Sequence, residues 1–390
     1  MDKRRMLYIS PFWPVKSGVS EYSEILIWGL KKYFDITLFI DNYLIENREI
    51  SKVFPIVHKS DMSERDFKKY DILIYNFGNN PEAHEYMYDV FLNHPGFIVL
   101  HDLSLYYLTI GYYQKKGMLY QKIYELEGAD GITKVKESLN NAPGTDLLQQ
   151  KDLASSLLLN NEILPLAKGI FVHSNYTKNQ VIQLFPDSNV SVINLVNCVP
   201  AQVKKSNYDL RKQFNVKSNE FIVGSIGFIA PSKQCECCCH AIKKYNLMSS
   251  QKVHYIMIGE GNYIDHLLDD HIHKTGFLSN MDFFKAISEC DFIFNLRYPY
   301  HGESSATLLQ CMILKKFCIV TNIGWFGELP SDAVLKVSAD IDSAELSSII
   351  EKVICSPEDV QPIIERAYEY AANECSVETV ALQIKNSIGE

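Results

Sequence analysis

No stretch of this 390-residue chain approaches the roughly 20 consecutive apolar residues needed to cross a bilayer. A leader is lacking too: Met1-Asp-Lys-Arg-Arg5 runs into a short strand-like segment broken by Pro11, with no extended apolar core or small-residue cleavage site. These absences lead us to expect a cytoplasmic protein, with attachment at the inner face of the cell membrane left open. A basic excess is also missing. The formal net charge of −9 argues against nucleic acid as main partner, since phosphate-backbone binding needs a basic face. Lys3-Arg4-Arg5 and Lys115-Lys116 are only local exceptions. The loop after the first strand lacks a full Gly-x-Gly-x-x-Gly fingerprint. Cys235-Glu-Cys237-Cys238-Cys239-His240 has no second Cys/His pair at zinc-site spacing, so thiols filling helix positions against a sheet compete with a metal reading. In such a chain ten cysteines read as thiols rather than a disulfide framework.

With 47% hydrophobic and 22% charged residues the chain has the composition of a folded globular protein, and its length fits two domains. Short apolar runs alternate with helical patterns, which indicates parallel sheets wrapped by helices. The first half offers strands at 6–10, 35–40, 71–75, 97–101, 169–173 and 190–195, with helices at 21–33, 81–92 and 175–184. Residues 103–164 carry no strand pattern and read as two or three inserted helices. Tyr106, Tyr107, Tyr112 and Tyr113, followed by Lys115-Lys116, form either an interfacial belt or internal packing. The pattern stops between Asn197 and Asn207, a linker. A second series follows: strands at 221–226, 253–258, 291–296, 317–321 and 333–337, and helices at 235–245, 264–270, 281–288, 304–314, 342–353, 357–372 and 377–388. The expected domains are 1–198 and 208–373, with 374–390 a helix returning to the first. Ligands of doubly wound sheets sit outside the carboxyl ends of the strands.

Four such ends hold unusual residues. At Asp291-Phe-Ile-Phe-Asn-Leu-Arg297-Tyr-Pro-Tyr-His-Gly302-Glu303-Ser304-Ser305, an apolar run ends in an Arg, turns, and opens a helix that Ser304 or Ser305 can cap. Free amides, the helix dipole and a forked cation suit an anion such as a diphosphate, and Glu303 suits sugar hydroxyls. Gly18, in Ser17-Gly18-Val-Ser20-Glu21, lets backbone approach a ligand at a helix start. His101 can donate to a hydroxyl, with Asp102 available to orient its ring, or can be structural. In Gly224-Ser-Ile-Gly227-Phe-Ile-Ala-Pro231-Ser-Lys233, Lys233 can meet a phosphate as a point charge.

Those segments, with Gly78-Asn79-Asn80-Pro81, Ile258-Gly259-x-Gly261 and Thr321-Asn-x-Gly324-x-x-x-Glu328-Leu329-Pro330, resemble the retaining family 4 glycosyltransferases along nearly the whole chain. The resemblance implies the GT-B fold: two Rossmann-like domains facing across a cleft, the last helix crossing back. It implies a metal-independent, retaining hexosyl transfer from a nucleotide-diphosphate sugar, UDP- or GDP-linked, without cofactor. The acceptor would be a glycan or lipid-linked glycan in bacterial surface polysaccharide synthesis, with peripheral membrane contact a further expectation. Carried over by position, His101, Glu303 and Lys233 are catalytic, and Gly18, Gly227, Lys233, Arg297, Gly302, Glu303, Ser304 and Ser305 bind the donor. Two positions depart from the family. Cys311 stands where Glu-x7-Glu has its second carboxylate, and Phe228 where an Arg precedes the phosphate Lys. Arg297 can supply the missing charge. The rival expectations are an inactive glycosyltransferase-like subunit that binds acceptor or partner, and a nucleotide-sugar epimerase.

Overall fold

A computed structural model describes residues 3–199, 206–300 and 302–389. It divides into two compact units: Met1–Val196 with His301–Ser304 and Val377–Glu390, and Asn197–Tyr300 with Ser305–Ser376. Residues 200–205 of the expected linker lie outside the described residues.

The first unit opens with β1 (Arg5–Ile9), α1 (Gly18–Leu30), β2 (Asp35–Ile40), α2 (Arg48–Val53) and β3 (Ile56–His58). Next come β4 (Ile72–Phe77), α3 (Pro81–Asn93) and β5 (Phe97–Leu100), then the helical stretch α4 (Tyr106–Lys115), α5 (Leu119–Asn141) and α6 (Lys151–Ser156). The unit continues with β6 (Gly169–Val172), α7 (Asn175–Leu184) and β7 (Val190–Val192). Its sheet runs β3-β2-β1-β4-β5-β6-β7, every pairing parallel. Crossover helices cover both faces of such a sheet, which is why its strands are near-continuous apolar runs. In β1, Met6 to Ile9 are fully buried.

The second unit repeats the scheme with α8 (Leu210–Gln213), β8 (Phe221–Ile226), α9 (Cys235–Met248), β9 (Val253–Ile258) and β10 (Ile272–Lys274). Then follow α10 (Asn280–Glu289), β11 (Phe292–Asn295), α11 (Ala306–Ile313), β12 (Phe317–Thr321), α12 (Gly324–Glu328) and β13 (Leu335–Val337). α13 (Ser343–Cys355) and α14 (Pro357–Glu369) close it, and α15 (Val377–Ile388) belongs to the first unit. The sheet order is β10-β9-β8-β11-β12-β13, again parallel. In both sheets the chain reverses direction beside the first strand, β1 next to β4 and β8 next to β11, which is the switch point where doubly wound sheets bind ligands.

One expectation changes, two strands were not expected, and one open alternative is resolved. The helix at 264–270 is only one 3-10 turn, Asp265–Leu267, because Asp269 turns the chain into β10: its carboxylate accepts the His271 N–H at 2.9 Å. The edge strands β3 and β10 escape sequence reading, since three residues carry no periodicity and pair only because β2 and β9 present open edges. The tyrosine belt is packing: Tyr106, Tyr112 and Tyr113 are buried and Tyr107 half-buried, while Lys115 and Lys116 pair with Glu85 and Asp89. Cys235, Cys238 and Cys239 are buried in the core between α9 and its sheet, and all ten cysteines are thiols. No helix among the described residues is long and apolar enough to cross a membrane.

Candidate functional site

In the first unit, Gly18 is the first residue of α1, whose N-cap Ser17 accepts the Val19 N–H at 3.2 Å. A Cβ placed on Gly18 would meet nothing within 4 Å, so packing does not explain the glycine. His101 follows β5. Its ring stands edge-on to Tyr22 at 4.7 Å and tilted to His173 at 5.4 Å, and its buried Nε2 has no partner among the described residues. Burial, then the neighbouring His173 and His84, hold the His101 imidazole well below its usual range. Burial likewise brings His84 and His173 down to about 4. At neutral pH His101 is therefore a hydrogen-bonding imidazole rather than a cation.

Asp102 does not orient that ring. It accepts the Asn79 N–H at 2.9 Å, and burial and, further down, Glu303 push its carboxyl upward. Glu303 thus lies near the end of β5 within the first unit. Gly302, just before it, has φ +90° and offers its carbonyl to the Thr177 hydroxyl at 3.4 Å.

In the second unit Gly227 follows β8 with φ +86°, and a Cβ there would stand 2.8 Å from Lys233 Nζ. Lys233 ends a 3-10 turn, Pro231–Lys233, ahead of α9, and its ammonium donates to the Ile226 carbonyl at 2.6 Å. The cation is therefore folded over the carboxyl end of β8. Arg297 leaves β11 buried: its Nη1 donates to the Leu296 carbonyl at 2.8 Å, and its guanidinium lies 5.5 Å from the centre of the Phe326 ring. Tyr300 fastens the following loop, since its hydroxyl accepts the Trp325 N–H at 3.0 Å and its ring occupies the space a Cβ on Gly324 would need.

Ser305 is the cap of α11. Its Oγ accepts the Leu308 N–H at 3.2 Å and lies 3.4 Å from Asn295 Nδ2, so the buried hydroxyl already serves the fold and Ser304 stays outside the helix. Cys311 is fully buried, its thiol beside Cys318 and Cys290, and so it faces the core. The chain's one Asp-x-Asp run, Asp340-Ile341-Asp342, is also engaged: Asp342 caps α13 through the Ala344 and Glu345 N–H groups, and Asp340 accepts from Ser338. Among the described residues no group of three or more His, Cys, Asp or Glu side chains is arranged to hold a metal ion.

One feature escapes the sequence reading. A cavity of about 160 Å³ beside Gly227 is lined by Phe228, Ile258, Gly259, Glu260, Gly276, Phe277, Leu278 and Phe283. The Thr275–Leu278 stretch reads in sequence only as a connection, although Phe277 is a large apolar residue in a turn, where burial is not expected.

No family model matches the chain, and no curated protein matches it. Solved structures do. HepE of Anabaena, determined with UDP-glucose, aligns at 14% identity over 99% of both chains with a TM-score of 0.62. WaaG, a glycosyltransferase involved in lipopolysaccharide biosynthesis, aligns at 10% identity over 98% of both chains with a TM-score of 0.59. A Listeria monocytogenes protein assigned as a candidate UDP-N-acetylglucosamine 2-epimerase aligns at 11% identity over 99% of this chain and 96% of its own, with a TM-score of 0.55. The chain has the GT-B fold, two Rossmann-like units with parallel sheets of seven and six strands.

Proposed function

We propose that this protein is a glycosyltransferase that moves a hexosyl group from a nucleotide-diphosphate sugar to a glycan or lipid-linked glycan, with retention of configuration and without a metal. The observation that carries it is the position of Lys233, an ammonium held over the end of β8 and against Gly227, a residue that itself lines the apolar cavity. A cation beside an apolar slot at a switch point suits a nucleoside diphosphate. Likeness to HepE, determined with UDP-glucose, supports a UDP donor ahead of a GDP donor. Likeness to WaaG supports a role in bacterial surface polysaccharide synthesis.

In this reading the bond between the anomeric carbon and the diphosphate oxygen breaks, and the acceptor oxygen bonds the same face of that carbon. The acceptor's proton passes to the departing phosphate. Lys233, Arg297 and the amide end of α11 offset the charge that develops on the leaving group. Glu303 holds hydroxyls of the donor sugar. Neutral His101 donates or accepts one hydrogen bond to that sugar, a role its low basicity permits.

The test is a thermal-shift screen against UDP, GDP, ADP, CMP and their sugars, followed by product analysis with and without acceptor. A ligand at about 100 times its dissociation constant stabilises the fold by about 2.7 kcal/mol. Lys233→Ala is expected to lower transfer by about 10²-fold or more. Transfer that persists in Lys233→Ala and Glu303→Ala refutes these roles. A donor sugar altered without acceptor makes the protein an epimerase, the reading to which the Listeria neighbour points. Ligand binding without either product makes it a binding subunit.

A further inference from the structure

Gln234 holds a backbone conformation that most L-residues avoid. Its φ and ψ are +54° and +28°, in the left-handed region, where a Cβ crowds the backbone and glycine is the usual occupant. It stands directly ahead of α9 but makes no side-chain cap there. Its amide goes elsewhere. Nε2 donates to the Ala339 carbonyl at 2.9 Å, beyond β13, and Oε1 accepts from the Thr321 hydroxyl at 3.5 Å. Thr321 ends β12 fully buried, and its hydroxyl oxygen also accepts the Arg297 N–H at 2.9 Å. Neighbouring strands stand about 4.8 Å apart, so Gln234, which follows β8, reaches past β11 to β12 and β13. One side chain therefore joins the residue next to Lys233 to the residue that fixes the backbone of Arg297. Non-glycine residues in this strained region persist where their surroundings hold them, and they gather at functional sites.

We propose that Gln234 and Thr321 are positioning residues, a latch that sets the separation between the Lys233 ammonium and the Arg297 guanidinium so that both reach one diphosphate. This rests on the donor reading above and adds residues that hold the cations without touching the ligand. A lysine by itself fixes no distance, because its four-carbon stem is flexible and its ammonium is a point charge. Here the turn that carries it is pinned on both sides. The Gln234 N–H donates to the Pro231 carbonyl at 2.9 Å, and the Gln234 carbonyl accepts the Cys238 N–H at 3.1 Å. The ammonium then reaches back to the Ile226 carbonyl at 2.6 Å. Arg297 is placed from the other end, through its own N–H on Thr321. Cations already set at the spacing of the ligand bind it without first having to be ordered.

Calorimetric titration of the full chain with inorganic pyrophosphate and with UDP, beside urea midpoints, tests this. Gln234→Ala is expected to weaken pyrophosphate about fivefold, the effect of one hydrogen bond, and to lower the midpoint, because it loses both contacts and keeps the strain. Gln234→Gly loses the same contacts but relieves the strain, so its midpoint lies above that of Gln234→Ala while its pyrophosphate affinity is no stronger. A side chain that only supported the fold would give affinities that follow the midpoints. UDP loses the same factor, since the latch acts on the phosphates that both ligands carry. Thr321→Val, close in shape, also weakens pyrophosphate, whereas Thr321→Ser keeps the hydroxyl and binds as the wild type does. In a Lys233→Ala background Gln234→Gly changes pyrophosphate affinity less than it does alone, because the latch acts through that ammonium. If Gln234→Gly binds pyrophosphate as the wild type does, or better than Gln234→Ala in step with the midpoints, the latch is overturned and the donor reading stands. If the wild type binds neither pyrophosphate nor UDP, latch and donor reading fall together.

Discussion

Buried imidazoles on α3 and at the ends of β5 and β6 make the first unit sensitive to acid. His84 and His173 are both fully buried and have folded-state values of about 4, against an ordinary value near 6.5 in the unfolded chain. A depressed histidine value means that, as pH falls, the unfolded chain takes up the proton first. Stability is therefore full above about pH 6.5 and declines toward about pH 4. By pH 5 each histidine costs about 2 kcal/mol, so the urea midpoint at pH 5 should lie well below that at pH 7.5. In His173→Phe the slope between those pH values should flatten; an unchanged slope would refute the assignment. The residue types at this scale were legible in the sequence, where His101, Lys233 and Arg297 stand out by following apolar runs. Their neighbours were not. Asp102 turns to the Asn79 amide and Arg297 lies over Phe326, and both choices depend on chain segments distant in sequence.

Elements were legible wherever a local cue sets them. Ser17, Ser174, Ser279 and Ser305 each cap a helix, and the polar residue ahead of an apolar period announces such starts. For α11 the cap also secures a strand end, because Ser305 Oγ lies against Asn295 Nδ2 as well as the Leu308 amide. Ser305→Ala should lower the urea midpoint of the second unit by the equivalent of about 1 kcal/mol, and Ser305→Thr should recover most of it. An unshifted midpoint in Ser305→Ala would show that the cap contributes nothing. Local cues missed the short helices α2, α8 and α12 as well as two strands, β3 and β10. Each of the two strands has three residues, too few for a period of two to show, and each exists because a neighbouring strand supplies its hydrogen-bond partners.

For the molecule as a whole, the chain returns after the second unit and lays α15 on the first. Gly29 on α1 makes this possible: a Cβ there would stand 2.7 Å from the Val377 carbonyl oxygen and 2.8 Å from the Ala381 Cβ. The exposed Lys32–Glu378 pair at 2.9 Å adds little beside that packing. Gly29→Leu should therefore cost about 1–3 kcal/mol and expose the C-terminal helix to limited proteolysis after residue 376. A protease pattern identical to the wild type would refute the close packing of the two helices. Alternation of apolar runs with helical periods, glycines at strand ends and serines at helix starts were enough, by themselves, to determine two doubly wound parallel units. Those features are local, and each acts through the backbone that carries it. Tertiary structure alone decided that Cys311 faces the core, that Tyr106, Tyr112 and Tyr113 pack inward, and that Phe228 and Phe277 share one cavity. A side chain's burial depends on what the rest of the chain brings against it, and local sequence does not encode that.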